Sequence, residues 1–349
     1  MNIKEIAKIC DVSPATVSYV LNGKNKTSEE TRQRIIKTIN EYDYTHNAIA
    51  QGLRKKKSGV IAVICEDIAQ FTSPPIIESI VEICEKYDYR VIVYNLRLYD
   101  RWQDTWYDND ERYFSIINPI IKDIKSSQTD GIIYVAGHAR IIRLFNNGFD
   151  RPVIMCYAFS ESSDIPSVVI NDEDSAYQIV SYLIKCGHKK IGFVGGRPDN
   201  IHTLKRLSGY QKALYENEIL YNPDLVYYGD WSRESGYDAA MELYSKDVTA
   251  FFGISDRMTG GIYDFLYDND ISIGKDISVA GFDHENISDF FRPKLTTTEL
   301  PLRSIGIKAA ELLIAKLDNS RVYHRINKPE VFSIMCHPVI RDSVSQLYD

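Results

Sequence analysis

A chain of 349 residues, 44% hydrophobic and 26% charged, has the make-up of a globular protein with two or three domains and room for large cores. No apolar run approaches the ~20 residues of a membrane span. The N-terminus has no basic stretch leading into an apolar one, so we expect no signal peptide, no membrane partner and a cytoplasmic location. The net charge of −7 hides an asymmetry: of 41 basic and 48 acidic residues, residues 1–57 hold 11 and 6. A basic N-terminal segment thus precedes an acidic body, and only that segment suits a polyanion. Six cysteines (Cys10, Cys65, Cys84, Cys156, Cys186, Cys336) show no C-x-x-C pair. Their apolar surroundings favour buried, reduced thiols over disulfides or a metal site.

Ile3, Ile6, Ala7 and Cys10 recur at helical spacing and predict a first helix. Asp11-Val12 is a tight connection into a second, in which Ser13 can cap and Pro14 suits the first helical position. Val17, Val20 and Leu21 make one side of it apolar. The other side is thin and polar, carrying Ala15, Thr16, Ser18, Tyr19 and Asn22, and such a helix fits a DNA major groove. After the turn Gly23–Lys26, Thr27 and Glu30 have capping-box spacing and open a third helix with Ile35, Ile39 and Tyr42 on one stripe. Three short helices with a brief first turn make a helix-turn-helix headpiece, against the plainer reading of a structural three-helix bundle.

The next stretch, Asn47-Ala48-Ile49-Ala50-Gln51-Gly52-Leu53-Arg54 before Lys55–Lys57, has helical spacing but only about two turns and a glycine. Such a helix does not hold alone in water. It either orders on DNA, with Leu53 wedged into the minor groove and basic residues on phosphates, or stays a flexible basic linker. The residues alone leave both open.

From Gly59 the pattern alternates between apolar strands and helices. Val60–Ile64, Val91–Tyr94, Gly131–Val135 and Val153–Cys156 read as strands, with helices at Ile76–Glu85, Ile116–Lys125 and Ile141–Phe145. A second series runs from the strand Val168–Ile170 to the strand Ser278–Phe282. Leu98–Arg112 is a polar, aromatic insert of unassigned role. Two such series predict two doubly wound parallel-sheet subdomains, with a ligand cleft beyond the strand ends.

These motifs together resemble the LacI/GalR family of bacterial transcription regulators over nearly the whole chain. The similarity is carried by Ile3-Lys4-Glu5-Ile6-Ala7, Val12–Ser18, Leu21-Asn22 and Asn47–Leu53. Gly187–Phe193, Gly236-Tyr237, Gly281-Phe282-Asp283 and Pro293–Thr298 with Gly306 extend it. The resemblance implies an all-α headpiece at 1–46, a hinge helix and linker at 47–57, and a periplasmic-binding-protein-like α/β core at 58–349. The core divides into an N-subdomain (about 58–158 and 288–320) and a C-subdomain (about 159–287 and 321–349). It also implies a homodimer reading a near-palindromic operator in double-stranded DNA, with Leu53 in the central minor groove. Ala15, Thr16 and Tyr19 then become the base readers. Ser13, Ser18, Asn22 and Lys24 become phosphate contacts, and Asn47 and Arg54 belong to the hinge contact. Tyr19 stands where the family often has arginine, so the half-site should differ from the usual one.

Loops after strand ends supply the effector candidates: Phe71 and Thr72, Asn200, His202 and Arg206, Trp231, Ser255 and Asp256, and Asp283. Aromatic faces, a guanidinium fork and carboxylate acceptors suit a sugar, with Arg206 and Asp283 as polar anchors and Trp231 and Phe71 for stacking. Each also has a structural reading as a cap, core residue or ion pair. Ser255 stands where relatives commonly carry Asn, and Tyr157 lies near a position where many carry Asp, which leaves a modified sugar or a nucleoside-like ligand open. His138 and His188 read as a helix-start and a turn residue. No metal, cofactor or catalytic set is expected, and Gly195-Gly196 lacks the G-x-G-x-x-G spacing of a dinucleotide enzyme. A sugar-transport protein of the same architecture would have no headpiece. The function expected is a ligand-responsive repressor, the alternative being a regulator of this fold governed by a protein partner.

Overall fold

The computed structural model describes residues 1–21, 26–42, 57–103, 109–145, 149–162, 164–318 and 331–347. It divides into two units, residues 1–58 and 59–349. Of the residues singled out above, Asn22, Lys24, Asn47, Leu53 and Arg54 lie outside the described ones, as does 104–108 of the insert.

In the first unit, helix α1 (Ile3–Ile9) is opened by a capping box. The Asn2 side chain accepts the Glu5 N–H at 3.1 Å, and the Glu5 carboxylate accepts the Asn2 N–H at 2.8 Å. Helix α2 spans Pro14–Leu21 and α3 spans Glu29–Glu41. The cap of α3 is Ser28, one residue beyond the Thr27 predicted: its hydroxyl accepts the Thr31 N–H at 3.3 Å. Two adjacent hydroxyls make that choice invisible in sequence. Ile6, Ala7, Cys10, Val17, Val20 and Ile35 form one small core.

The second unit carries two parallel sheets. The first contains β1 (Val60–Cys65), β2 (Arg90–Asn95), β3 (Gly131–Val135), β5 (Val153–Cys156), β7 (Ser167–Ile170) and β13 (Val331–Ile334), in the order β13-β7-β5-β3-β1-β2. Its central strands are buried along their whole length, as parallel strands covered on both faces must be. The covering helices are α4 (Ser73–Lys86), α5 (Leu98–Trp102), α6 (Asp110–Ser126) and α11 (Leu302–Leu317). Gly306 lets α11 rest on α4, because a Cβ there would meet the Ile76 carbonyl oxygen at 2.3 Å. The second sheet contains β8 (Ile191–Gly195), β9 (Val226–Tyr228), β10 (Ala250–Gly253) and β11 (Ser278–Ala280), in the order β11-β10-β8-β9. It packs with α7 (Asp172–Lys185), α8 (Ile201–Glu216), α9 (Arg233–Tyr244) and α10 (Asp256–Asp268).

The chain passes between the lobes three times: after β7, after β12 (Thr297–Glu299), and between β13 and β14 (His337–Val339). The expected subdomain limits are corrected accordingly. Strand β7 pairs with β5 and β13, so it closes the first sheet and does not begin the second. Residues 288–299 run with the second lobe, where β12 pairs with β14 and Thr296 bridges to Ala280. A buried apolar strand reads alike in either sheet, so its membership cannot be seen in its residues. Ile141–Phe145, expected as a helix, instead contains strand β4 (Ile141–Ile142), paired with β6 (Phe159–Ser160). Two adjacent β-branched residues in so short a segment favour that outcome. Leu98–Arg112 proves to hold α5 and the start of α6.

Candidate DNA-reading face and effector cleft

In α2 the sequence decides which side is free. Val17 and Val20 are buried in the headpiece core, while Ala15 and Tyr19 are exposed and Thr16 and Ser18 half-buried. The Ser13 hydroxyl accepts the Thr16 N–H at 3.1 Å and meets Thr16 Oγ1 at 2.9 Å, so it holds the first turn. Lys26 sits over the Tyr19 ring at 5.3 Å, adding positive charge beside the exposed tyrosine.

In the second unit, the strand ends converge on a cleft between the lobes, as open parallel sheets require. Its inner end is a chamber of about 70 Å³. Phe71 and Thr72 reach it from beyond β1, His138 from beyond β3 and Tyr157 from the end of β5. From the other lobe come His202 and Arg206 on α8, Trp231, Ser255 before α10, and Asp283. Seven of the nine effector candidates therefore meet here. Thr72 Oγ1 is buried and has no hydrogen-bond partner among the described residues, and of the buried hydroxyls in that condition it is the one that lines this chamber.

Arg206 is almost wholly buried at 2% exposure. Its Nε donates to Asp172 Oδ1 at 2.7 Å, and a terminal nitrogen donates to the Ile254 carbonyl and lies 3.4 Å from Asp283 Oδ1. Its guanidinium stacks over Phe282, 3.8 Å from the ring centre. Burial opposes the charge of Asp172, but His202 and Arg206 outweigh it and hold this carboxyl below its ordinary range. His202 Nδ1 faces Asp172 Oδ2 at 2.9 Å while Nε2 accepts the Ala139 N–H at 3.0 Å, so the ring links the two lobes. Asp283 behaves oppositely. Burial pushes its carboxyl up to about 7 despite Arg206, since 3.4 Å is a weak contact and Arg206 is committed to Asp172.

Trp231 has a left-handed backbone, with φ of 71°. Its indole lies on Gly196, where a Cβ would meet the ring at 2.2 Å. His138 stands beside it with ring centres 6.0 Å apart, and burial lowers the His138 pKa to about 3, keeping the ring neutral. Beyond this pair the cleft widens into an outer chamber of about 560 Å³. Asp110, Tyr113, Phe114, Arg140, Arg143, Arg197, Asp199 and Asn200 line it, together with His138 and Trp231.

Two candidates take other places. Asp256 does not line either chamber: Thr297 Oγ1 donates to its Oδ1 at 2.7 Å and the Glu285 N–H to its Oδ2 at 2.8 Å, and burial raises its carboxyl well above the ordinary range. It ties the loop after β11 to β12, a partner set that no local pattern announces. Asn200 caps α8 through the His202 N–H at 2.9 Å and lines the outer chamber only. Ser255 lines the inner chamber but also caps α10, accepting the Met258 N–H at 3.2 Å. His188 bonds Thr249 and the Ser345 carbonyl, away from the cleft. His138, expected as a helix-start residue, stands between the chambers, just beyond the end of β3 where open parallel sheets present residues to a cleft.

Residues 2–47 match the bacterial regulatory proteins of the lacI family, and residues 180–344 match the periplasmic binding protein-like domain. Catabolite control protein A of Priestia megaterium is 30% identical over 92% of this chain and 94% of its own length. The HTH-type transcriptional repressor PurR of Vibrio atlanticus is 26% identical over 99% of both chains. Among solved structures, the lac repressor dimer bound to operator and an anti-inducer covers 99% of both chains with a TM-score of 0.77 at 23% identity. A CelR–cellobiose complex covers 98% of this chain and 99% of that one, with a TM-score of 0.66 at 20% identity. At those identities the structures speak for the fold, and the relatives speak for the function. The chain belongs to the LacI family of bacterial regulatory proteins: it is a DNA-binding transcriptional regulator with an effector-binding domain, and not an enzyme.

Proposed function

We propose that the protein is a cytoplasmic repressor that binds a near-palindromic operator as a homodimer and releases or grips it according to a sugar or sugar derivative held in the cleft. The division of labour is a headpiece at 1–46, a hinge at 47–57 and an effector-binding core at 58–349. The observation that carries the DNA side is the polarity of α2. Val17 and Val20 are committed to the core, which leaves Ala15, Thr16, Ser18 and Tyr19 outward on a helix narrow enough for a major groove. Ser13, Asn22 and Lys24 serve as phosphate contacts, and Asn47, Leu53 and Arg54 form the hinge contact.

The sugar reading is supported by the inner chamber. It joins the orphan hydroxyl of Thr72, the Arg206–Asp283 pair and the Trp231 and Phe71 rings, a mixture suited to a ring with apolar faces and a hydroxyl rim. Ligand binding between two lobes shifts their relative population of arrangements, and thereby the DNA affinity of a linked hinge.

The test is a gel-shift titration of full-length protein on operators selected from random duplexes. Leu53→Ala is expected to weaken specific binding at least about tenfold while sedimentation still reports a dimer. Unchanged affinity removes the wedge from the scheme. A thermal-shift screen of sugars and nucleosides on the same protein identifies the effector class, because a ligand that binds only the folded state raises its melting temperature.

A further inference from the structure

The outer chamber has no counterpart among the effector candidates except Asn200 and Trp231, yet it is the larger part of the cleft. At about 560 Å³ it falls within the ~300–1,000 Å³ of small-molecule sites, whereas the inner chamber, at about 70 Å³, is far below it. The two share His138 and Trp231, so they are successive parts of one cleft. A ligand confined to the inner end would leave most of the built site unused.

The outer walls indicate the chemistry. Three guanidiniums line the chamber, and each faces a carboxylate. Arg140 Nη1 lies 2.6 Å from the buried Glu66, Arg197 holds Asp199 with two contacts of 3.1 and 2.8 Å, and Arg143 lies 3.8 Å from Glu161. Asp110 adds a fourth carboxylate to the wall, so the chamber does not call for an anion. The forked Arg197–Asp199 pair is half-exposed, and offers adjacent donors and acceptors of the kind that a rim of hydroxyls needs. Glu66 is itself fixed by Tyr134 Oη at 2.7 Å and the Gly137 N–H at 2.8 Å, which makes Arg140 a rigid donor. Phe114 and Trp231 add half-buried aromatic faces. Trp231 cannot sink away from the junction, because it already lies on Gly196.

We infer that the effector is a di- or trisaccharide spanning both chambers. Hydroxyls of one terminal ring lie at Thr72, Arg206 and Asp283, the junction packs on Trp231, and the remaining units lie against Phe114 and the Arg197–Asp199 pair. This inference rests on the sugar reading above and adds the length of the ligand and the residues that measure it.

The experiment is calorimetric titration of full-length protein with glucose, galactose and ribose, and with cellobiose, maltose, sucrose, lactose, raffinose and maltotriose. At least one di- or trisaccharide is expected to bind about tenfold or more tighter than any monosaccharide. Arg197→Ala and Phe114→Ala are each expected to lower the affinity of that oligosaccharide about five- to twentyfold, and to narrow its advantage over the monosaccharides. Arg197 is exposed enough that its loss does not threaten folding, and the melting temperature of each variant checks this. A monosaccharide that binds as tightly as every oligosaccharide overturns the inference while leaving the sugar reading in place. So does an oligosaccharide whose affinity ignores both variants. Absence of binding by every sugar overturns the inference and the sugar reading together.

Discussion

Arg206 Nε and Asp172 Oδ1 lie 2.7 Å apart with both side chains almost wholly buried, and this pair organises the inner wall of the cleft. Asp172 stands at the first position of α7, so the strand-to-helix crossing between the lobes and the arginine on α8 share one charge pair. Breaking a buried pair from one side leaves the other charge uncompensated. Asp172→Ala is therefore expected to cost about 3–5 kcal/mol in urea unfolding followed by tryptophan fluorescence, since all three tryptophans lie beyond the headpiece. Asp172→Asn keeps an acceptor for Nε and should cost clearly less. Equal losses for the two variants would mean that the charge both remove, and not the acceptor and shape that Asn keeps, holds Arg206.

Asp283 predicts a pH dependence of defined sign. Its carboxyl is raised from 3.8 to about 7 by burial, so the folded state prefers the protonated form. Its stabilising contribution is complete below the unfolded value near 3.8, and is lost as pH rises through about 7. Asp256 is shifted in the same direction, and Asp172 in the opposite one. Between pH 5 and pH 8 the core should lose roughly 2 kcal/mol on account of Asp283. Asp283→Asn should flatten that slope, measured as urea midpoints at the two pH values. Parallel slopes in the two proteins would show that the carboxyl is charged throughout the range.

The sequence carried the element types well because most elements have strong periodicity or full burial. The helix α2 declares itself by its spacing, and the strand β1 by a short unbroken run of mostly β-branched apolar residues. The candidate site was legible where the loop after a strand carries a lining residue, as with Phe71 after β1 and Asp283 after β11. It was illegible where function depends on which lobe a segment joins, as with β7, or on contacts across about thirty residues, as with Asp172 and Arg206. The outer chamber was hidden because Arg140 and Phe114 look like ordinary surface and amphipathic positions until β4 and α6 bring them together. Asp256 misled for a simpler cause: it adjoins a lining residue, Ser255, but points to β12.

Gly196 should be as sensitive as the residues proposed to touch ligand. A methyl group there would meet the Trp231 ring at 2.2 Å, and the left-handed backbone at Trp231 leaves it little freedom to adjust. Gly196→Ala is expected to lift the indole into the cleft, weaken effector binding about tenfold or more, and cost ~1–3 kcal/mol from overpacking. Changed tryptophan emission with lost ligand response supports this. Unaltered emission and binding would place the indole elsewhere in solution.

Tyr19 is the position at which operator preference should turn. It is exposed on the outward side of α2, one residue before the buried Val20, so its backbone position is fixed while its ring is free to meet bases. A tyrosine offers one hydroxyl and an aromatic edge, whereas an arginine can give two parallel hydrogen bonds to a guanine. Tyr19→Arg is therefore expected to move the preferred half-site toward a guanine at one base pair, with a discrimination of about 1–3 kcal/mol there. Tyr19→Ala should relax the preference at that same base pair and leave the salt dependence of binding nearly unchanged, because no phosphate contact is lost. Selection from random duplexes with the three proteins measures both effects. If all three select the same half-site, the bases are read by Ala15 and Thr16 without Tyr19. If Tyr19→Ala instead flattens the salt slope while keeping the sequence preference, the tyrosine and the neighbouring Lys26 grip the backbone together, and the reading face lies one turn earlier on the helix.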